Sequence, residues 1–414
     1  MRSPTRLGRY LTIGTAAILS AMLLSACGGS TAGSGKSSPI LIGTSLSLTG
    51  DFSTDGQAYK RGYELWESDV NAHGGIDGRK VQLIILNDNS SPTQVDTNYT
   101  DLITVKHVDL TLGPFSSLLT APAAEVAHRY GFAFVEGAGG APSVFSEHLS
   151  NVFDVSLPVV NELDPLTNWL KSLSSSQRPT TAAYPMADDP FATPQVQRTQ
   201  GQLQALGVST VYSKIFPEEV PDYLPNANIV ASKKPQAVIL GSTDVPTVSS
   251  FMHGFEQQHF SPKLFVAAAG PDQGQAFLSA VGTANANGVM VPDAWYPGYP
   301  NATSQAMVRE YVAKYGGNAS GVNADVAEAY AVGEVTAEAV KATGGTDGKK
   351  IIAYLHSGVT LSSVQGPVKF NSLGENTKAI AFVFQWQNGK FVQILPVGAT
   401  GSVPVLYPKP NWSS

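Results

Sequence analysis

The sequence predicts an α/β fold of two Rossmann-like, doubly wound lobes, and three observations carry that prediction. Short apolar runs alternate with helical periods from Ile40 onward, and the same rhythm restarts after Pro158. The 414 residues hold one cysteine, so no intrachain disulfide can form and the fold must rest on a packed core. A composition of 43% hydrophobic and 14% charged residues suits that demand.

In the first run, Ile40 to Leu46 reads as a strand. Tyr59, Tyr63, Trp66 and Val70 then recur at the spacing of one helical face. Val81 to Leu86 is a second strand, and Ser91-Pro92 opens a helix bearing Val95, Tyr99 and Leu102. Leu110 to Leu112 and Ala133 to Val135 are further strands, separated by a helix from Leu118 to Arg129. Buried strands joined through helices make right-handed crossovers and a parallel sheet.

The second run places strands at Thr181 to Tyr184, Val211 to Phe216, Ala237 to Leu240 and Leu264 to Ala267. Helices are expected near 162–173, 193–206, 223–232 and 246–259. Gly288 to Val291 is a further strand, followed by helical patterns at 303–315 and 323–342. In the tail, Val368 to Phe370, Ala381 to Trp386 and Phe391 to Leu395 read as strands, the last two around an Asn388-Gly389 hairpin turn.

Upstream of these runs, Arg2, Arg6 and Arg9 precede an apolar stretch from Ile13 to Leu24, and then Leu24-Ser25-Ala26-Cys27. A basic start, a short apolar core and small residues before a cut describe an export signal over residues 1–26. The apolar stretch is shorter than the roughly 20 residues that span a bilayer. A cysteine directly after Leu-Ser-Ala resembles the bacterial lipobox, which implies lipidation of Cys27 and attachment to the extracytoplasmic face of the cell membrane. Residues 27–38 are a flexible Gly/Ser tether.

Enzyme and nucleic-acid signatures are missing. Gly344 to Lys350 is one residue short of a phosphate loop between its glycines, and reads as a helix-ending turn. Gly137-Ala138-Gly139-Gly140 follows a strand without the remaining spacing of a dinucleotide fingerprint. The seven histidines show no metal-ligand spacing, and no nucleophile elbow appears. Asp188-Asp189 reads as a pair of solvated turn residues. A net charge of −6 with no basic block excludes a nucleic-acid partner. No catalyst, cofactor or metal is expected.

Several stretches resemble the branched-chain amino-acid (Leu/Ile/Val-type) solute-binding proteins of ABC importers. They are Ile42 to Gly50 with Gly56-Gln57 and Arg61-Gly62, Val70 to Val81, Asn87 to Pro92, Leu112 to Ser117, Asn151 to Phe153 and Gly366 to Asn371. The resemblance covers residues 40 to 395 and is most specific at Asn71-Ala72-His73-Gly74-Gly75-Ile76-Asp77-Gly78-Arg79. It implies a type I periplasmic-binding-protein fold, with two lobes joined by three crossovers near 156–160, 287–293 and 364–368. Lobe 1 would then hold 39–158 plus 290–365, and lobe 2 would hold 159–289 plus 366–405. Ligand would sit in the cleft beyond the carboxyl ends of the strands, and the lobes would close on it by a hinge.

Residue by residue, the resemblance implies that Ser117, with Ser116 beside it, binds a ligand carboxylate and that Asp272 faces a ligand ammonium. Ala138 aligns with a backbone-carbonyl contact. Gly140 stands where α-amino-acid readers often place a threonine, Asp55 where an aromatic is frequent, and Phe191 at a tyrosine position. Asp244 and Tyr296 are further candidates on a looser alignment. If Asp55, Asp272 and Asp244 all face the cleft, they favour a cationic or amide-rich ligand. The expected function is a monomeric solute-binding lipoprotein that delivers an amino acid, amide or related small polar solute to ABC permease subunits. The alternative is a ligand-sensing binding protein for a signalling receptor, which usually carries a spanning helix that this chain does not show after its last strand.

Overall fold

The computed structural model describes residues 38–412, apart from Glu219 and Pro221. The expected export segment, the lipidation site Cys27 and all of the tether except Ser38 lie outside the described residues. Among the described residues no helix is long and apolar enough to cross a membrane.

The fold is α/β, built on two sheets. The first contains β1 (Ile40–Leu46), β2 (Val81–Asn87), β3 (Leu110–Leu112), β4 (Phe134–Glu136) and β5 (Val152–Asp154), in the order β2-β1-β3-β4-β5 and parallel throughout. The second is built first from β6 (Thr181–Ala187), β7 (Ser209–Phe216), β8 (Ala237–Leu240), β9 (Leu264–Ala267) and β10 (Met290–Asp293). A short ladder of β11 (Leu361–Ser363) and β12 (Gly366–Val368) intervenes in the chain before β13 (Phe382–Gln387) and β14 (Lys390–Leu395). The second sheet runs β14-β13-β10-β9-β8-β6-β7, with β13 and β14 antiparallel at one side. In each sheet the strand order reverses once, between β1 and β3 and between β6 and β8, which opens a crevice at the carboxyl ends.

Helices cover both faces of each sheet because the parallel strands are apolar on both sides. Helix α1 (Ser53–Ala72) buries the stripe of Tyr59, Tyr63 and Trp66. It crosses the long helix Ala324–Thr343 closely, through glycines on both partners. A Cβ on Gly62 would lie 2.4 Å from the Val326 carbonyl oxygen, and one on Gly333 would lie 2.2 Å from the Trp66 ring. Helix α2 (Pro92–Thr104) starts at Ser91, whose hydroxyl accepts from the Gln94 N–H at 3.4 Å. Helix α3 (Ser117–Arg129) follows β3 directly and packs on α2.

Two segments shift against the expected lobe boundaries. Residues 290–293, placed by sequence in lobe 1, form β10 at the centre of the second sheet, hydrogen-bonded to β9 and β13. Trp295, immediately after, is buried in the core of the first sheet, so the chain crosses at Asp293–Trp295. Residues 366–370, placed in lobe 2, instead stay with the first: β12 pairs with β11, and Val368 and Phe370 pack on the same core as Trp295. The third crossing therefore falls after Asn376, whose side chain donates to the Val155 carbonyl at 2.8 Å, and before Phe382. The expected strand at 368–370 is displaced because Gly366 and Pro367 close a tight two-strand ladder rather than entering the large sheet.

Candidate functional site

The crevices of the two sheets face one cavity, which encloses roughly 780 Å³, open solvent at its mouth included. Almost every wall is a loop that leaves the carboxyl end of a strand. The first sheet contributes Phe115 and Ser116 after β3, and Gly137, Ala138 and Gly140 after β4. The second contributes Asp189 and Phe191 after β6, Thr243 after β8, Ala268, Ala269 and Asp272 after β9, and Asp293 at the end of β10. Ser156, Leu157, Val159 and Glu162 line it from the first crossover. Three further acids come from helices: Asp55 on α1, and Asp325 and Glu328 on Ala324–Thr343.

Six of the sequence-predicted residues are brought together here: Asp55, Ser116, Ala138, Gly140, Phe191 and Asp272. Ser117, the expected carboxylate contact, does not line the cavity. It is fully buried, and its hydroxyl donates to the Ala138 carbonyl at 3.3 Å. The serine of this loop that faces the cavity is its neighbour Ser116, the cap of α3, with φ of 72°. Gly140 is a glycine for steric reasons: a Cβ there would lie 2.7 Å from the Leu157 carbonyl oxygen and 3.0 Å from Asp154 Oδ2. The close approach of the crossover leaves no space for a threonine.

Asp244 and Tyr296 stand apart from this cavity. Asp244 caps the helix Val245–Gln257, accepting from the Thr247 N–H at 2.7 Å, and borders a separate surface pocket with Asp51 and Tyr223. Tyr296 donates to the Thr400 carbonyl at 3.0 Å and packs edge-on against Phe382, so its ring serves the end of the second sheet. The pair Asp188-Asp189 divides: Asp188 is exposed as expected, whereas Asp189 is 3% exposed and turned into the cavity wall. Its Oδ1 accepts the N–H groups of Phe191 and Ala192 at 2.7 and 2.9 Å.

Sequence reasoning missed Glu162, Asp189, Asp293, Asp325 and Glu328 as site residues. With Asp55 and Asp272 they make seven carboxylates among the lining residues, and no Lys, Arg or His accompanies them. For the two helical acids a signal was present: Asp325, Glu328 and Val332 fall at i, i+3 and i+7, which puts two acids in the buried stripe of a helix.

The carboxylates are tied down by neutral donors. The Gln273 side-chain amide, in the loop after β9, donates to Asp272 Oδ2 at 2.7 Å and reaches across the cleft to Asp325 Oδ2 at 3.2 Å and to Asp55 Oδ1. The amide of Asn323 donates to Asp325 Oδ2 at 2.9 Å and to Gln273 Oε1 at 3.3 Å. Glu328 accepts the Tyr59 hydroxyl at 2.8 Å and the Ser156 hydroxyl at 3.3 Å. Asp272 Oδ1 accepts the Gly270 N–H at 2.7 Å, while its loop is held by Trp386, whose indole donates to the Pro271 carbonyl at 2.8 Å.

Crowding and burial push these acids toward their neutral forms. Loss of water, followed by the charges of Asp325 and Asp272, holds the Asp55 carboxyl well above its ordinary range. Burial, then Asp272, pushes Asp325 up to about 8. Glu162, Asp293 and Glu328 are likewise raised well above the usual value, by burial first and then by their acidic neighbours. Asp189 rises to about 6, mainly by burial, with the helix N–H groups opposing the shift. Among the described residues no group of three or more His, Cys, Asp or Glu has the arrangement of a metal site.

Comparison with known proteins gives a consistent pattern. A family model described as periplasmic binding protein matches residues 39–390. The Leu/Ile/Val-binding protein homolog 8 of Brucella suis biovar 1 is 24% identical over 396 residues, covering 89% of this chain and 94% of its own. Homolog 7 of Brucella melitensis is 22% identical, with 88% and 93% covered. Among solved structures, the leucine binding protein LivK of Thermotoga maritima superposes with a TM-score of 0.75 at 17% identity, over 86% of this chain and 97% of that one. The branched-chain amino acid transporter substrate binding protein LivJ of Streptococcus pneumoniae, in complex with isoleucine, gives 0.73 at 18% identity, over 85% and 97%. An ABC-transporter solute binding protein of R. palustris in complex with benzoate also gives 0.73, at 19% identity, over 86% and 95%.

Proposed function

The chain belongs to the periplasmic binding protein family, and from that premise we propose that it is the extracytoplasmic solute-binding lipoprotein of an ABC importer. It captures a small polar solute in the cavity between its two sheets and presents it to permease subunits. One observation carries the reading: loops from the carboxyl ends of both sheets converge on one cavity, and Gln273 on one side bonds Asp55 and Asp325 on the other. A ligand that contacts both sides gains contacts only when the sides are together, which is what drives hinge closure.

The reading makes the protein a carrier rather than a catalyst, and the buried acids of the cavity serve to recognise a solute. The relatives named above are described as binding leucine-type amino acids or benzoate, and an amino acid, amide or related polar compound is the corresponding class for this chain. The lipid on Cys27 would hold a monomer at the membrane through the Gly/Ser tether, within reach of the permease.

A thermal-shift screen of amino acids, amides, polyamines and small carboxylates tests the proposal. The true ligand raises stability by RT ln(1 + [L]/Kd), and the shift grows with concentration. No shift with any solute, together with no co-purified ligand by native mass spectrometry, would overturn it. For the anchor, Cys27→Ala should move the protein from the membrane fraction to the soluble fraction; unchanged partition would sink the lipidation assignment.

A further inference from the structure

We propose that the occupant of the cavity is a small organic polycation, with at least two protonated amine or amidine nitrogens joined by an apolar chain and no free carboxylate. The inference rests on the binding-protein reading above and names its substrate class.

The charge balance of the walls points there first. Asp55, Asp325 and Glu328 face the cavity from the first lobe, Asp189 and Asp272 from the second, and Glu162 and Asp293 from crossovers. Among the described residues no basic side chain lines the cavity to offset them. A carboxylate such as benzoate, or the acid group of an amino acid, would enter a water-poor site whose crowded acids already resist ionising and whose lining offers no cation to pair with it. A second like charge there costs several kcal/mol without a paired cation.

Unspent polar groups point the same way. Thr243 is 8% exposed and lines the cavity, yet its hydroxyl has no hydrogen-bond partner among the described residues. Asp325, also 8% exposed, engages one oxygen with Gln273 and Asn323, while its Oδ1 receives no donor among the described residues. Neither oxygen of Glu162 receives a donor among the described residues. Acceptors held open around a cavity call for a donor-rich ligand, and an ammonium group offers three N–H donors and a full charge.

The amide of Gln273 shows how such a donor would fit. Its single nitrogen sits among the carboxylates of Asp55, Asp272 and Asp325 and has two hydrogens for three acids. It supplies the geometry of a cation without the charge. The open acceptors sit on different elements around the cavity, Asp325 on the helix Ala324–Thr343, Glu162 on the first crossover and Thr243 after β8, so the ligand carries more than one positive nitrogen. Between its charged ends, the rings of Phe52, Phe115 and Phe191 with Leu157 and Pro292 offer apolar and π surface for methylene groups and for a cation over a ring face.

Isothermal titration of the purified full chain in detergent against 1,4-diaminobutane, spermidine, butylamine, arginine, leucine and benzoate tests the inference. Diaminobutane or spermidine should bind at least about tenfold more tightly than butylamine, with no measurable heat from leucine or benzoate. Asp325→Asn should weaken the diamine at least about tenfold while raising the melting temperature of the empty protein, because it removes repulsion and the partner charge together. A purely structural role for Asp325 would lower both. Asp244→Asn, a cap outside the cavity, should leave affinity within about twofold. Tighter binding of leucine, benzoate or arginine than of the diamines would overturn the polycation assignment and leave the binding-protein reading standing. Absence of binding by all six probes and by the wider solute screen would overturn both.

Discussion

The two walls of the cavity reach the same chemistry by different construction. On the first lobe the strand-end loops contribute only neutral groups, Ser116 and the backbones of Gly137, Ala138 and Gly140, while all three acids ride on α1 and the helix Ala324–Thr343. On the second lobe the reverse holds: Asp189 and Asp272 sit on loops after β6 and β9, and helices supply no acid. Those two helices are locked together at Gly62 and Gly333, so the acids of the first wall form a rigid set. The acids of the second wall sit on loops and are held by hydrogen bonds from the Phe191, Ala192 and Gly270 N–H groups and the Gln273 amide. Identical side chains thus have different mechanical backing, and the rigid wall should contribute the larger part of affinity.

The sharpest way to break that contrast is to neutralise the walls separately. Asp325→Asn combined with Glu328→Gln should lower affinity for a diamine by about 100-fold, whereas Asp189→Asn alone should cost about tenfold. Equal losses by titration calorimetry would remove the contrast. Rigidity is tested next. Gly333→Ala drives a methyl into the Trp66 ring and should destabilise the fold by about 1–3 kcal/mol in urea melts. By contrast Gly201→Ala, on a helix of the second lobe with nothing within 4 Å of the added methyl, should stabilise by about 0.4–1 kcal/mol.

Proton linkage gives an effect of a few degrees in melting temperature. Asp189 is raised from 3.8 to about 6 and Asp325 to about 8, and Asp55, Glu162, Asp272, Asp293 and Glu328 are raised as well. Between the ordinary carboxylate range and those values the folded state binds more protons than the unfolded chain, so the stability of the empty protein falls as pH rises through that window. A bound polycation favours the ionised acids, so affinity should rise from pH 6 to 8 with release of protons. A melting temperature for the empty protein that climbs over the same range would contradict it. On affinity the smallest effect is that of Asp244→Ala, which removes a helix cap and should cost about 1 kcal/mol of stability without changing binding.

The fold was legible where strands are buried on both faces. Ile40–Leu46, Leu110–Leu112, Ala237–Leu240 and Leu264–Ala267 begin and end where the apolar runs do, because parallel strands under helices need no polar side. Strands β5 and β11 escaped because each is a three-residue run that ends on polar side chains, Asp154 and Ser362-Ser363, and so shows no apolar run. The helices Gly274–Val281 and Gly348–Leu355 were too short to stand out from their loops. In the site, Asp55 and Ser116 were legible because they lie beside or in stretches that carry the family resemblance, and Ala138 and Asp272 because they align with family contact positions. Asp325 and Glu328 were passed over because acids in a helix usually mark the solvent face, although their spacing with Val332 puts them on the buried stripe. Nothing local tells which of Asp188 and Asp189 turns inward; the helix N–H groups that Asp189 caps decide it. Glu162 and Asp293 become site residues only where the chain crosses between lobes, a long-range fact no window contains.

Acids of like sign on both sides of a hinge store work. As water leaves a closing empty cleft, the repulsion of the Asp55, Asp325 and Glu328 set against Asp189 and Asp272 grows, because screening is lost with the solvent. On the proposed reading, the cleft with its acids ionised acts as an electrostatic spring that resists closing when vacant. Its stiffness is set by salt and pH, and the Gln273 amide is a weak catch across it. A cargo of opposite sign turns the same spring into a clamp, so one set of side chains keeps the trap cocked and also springs it shut.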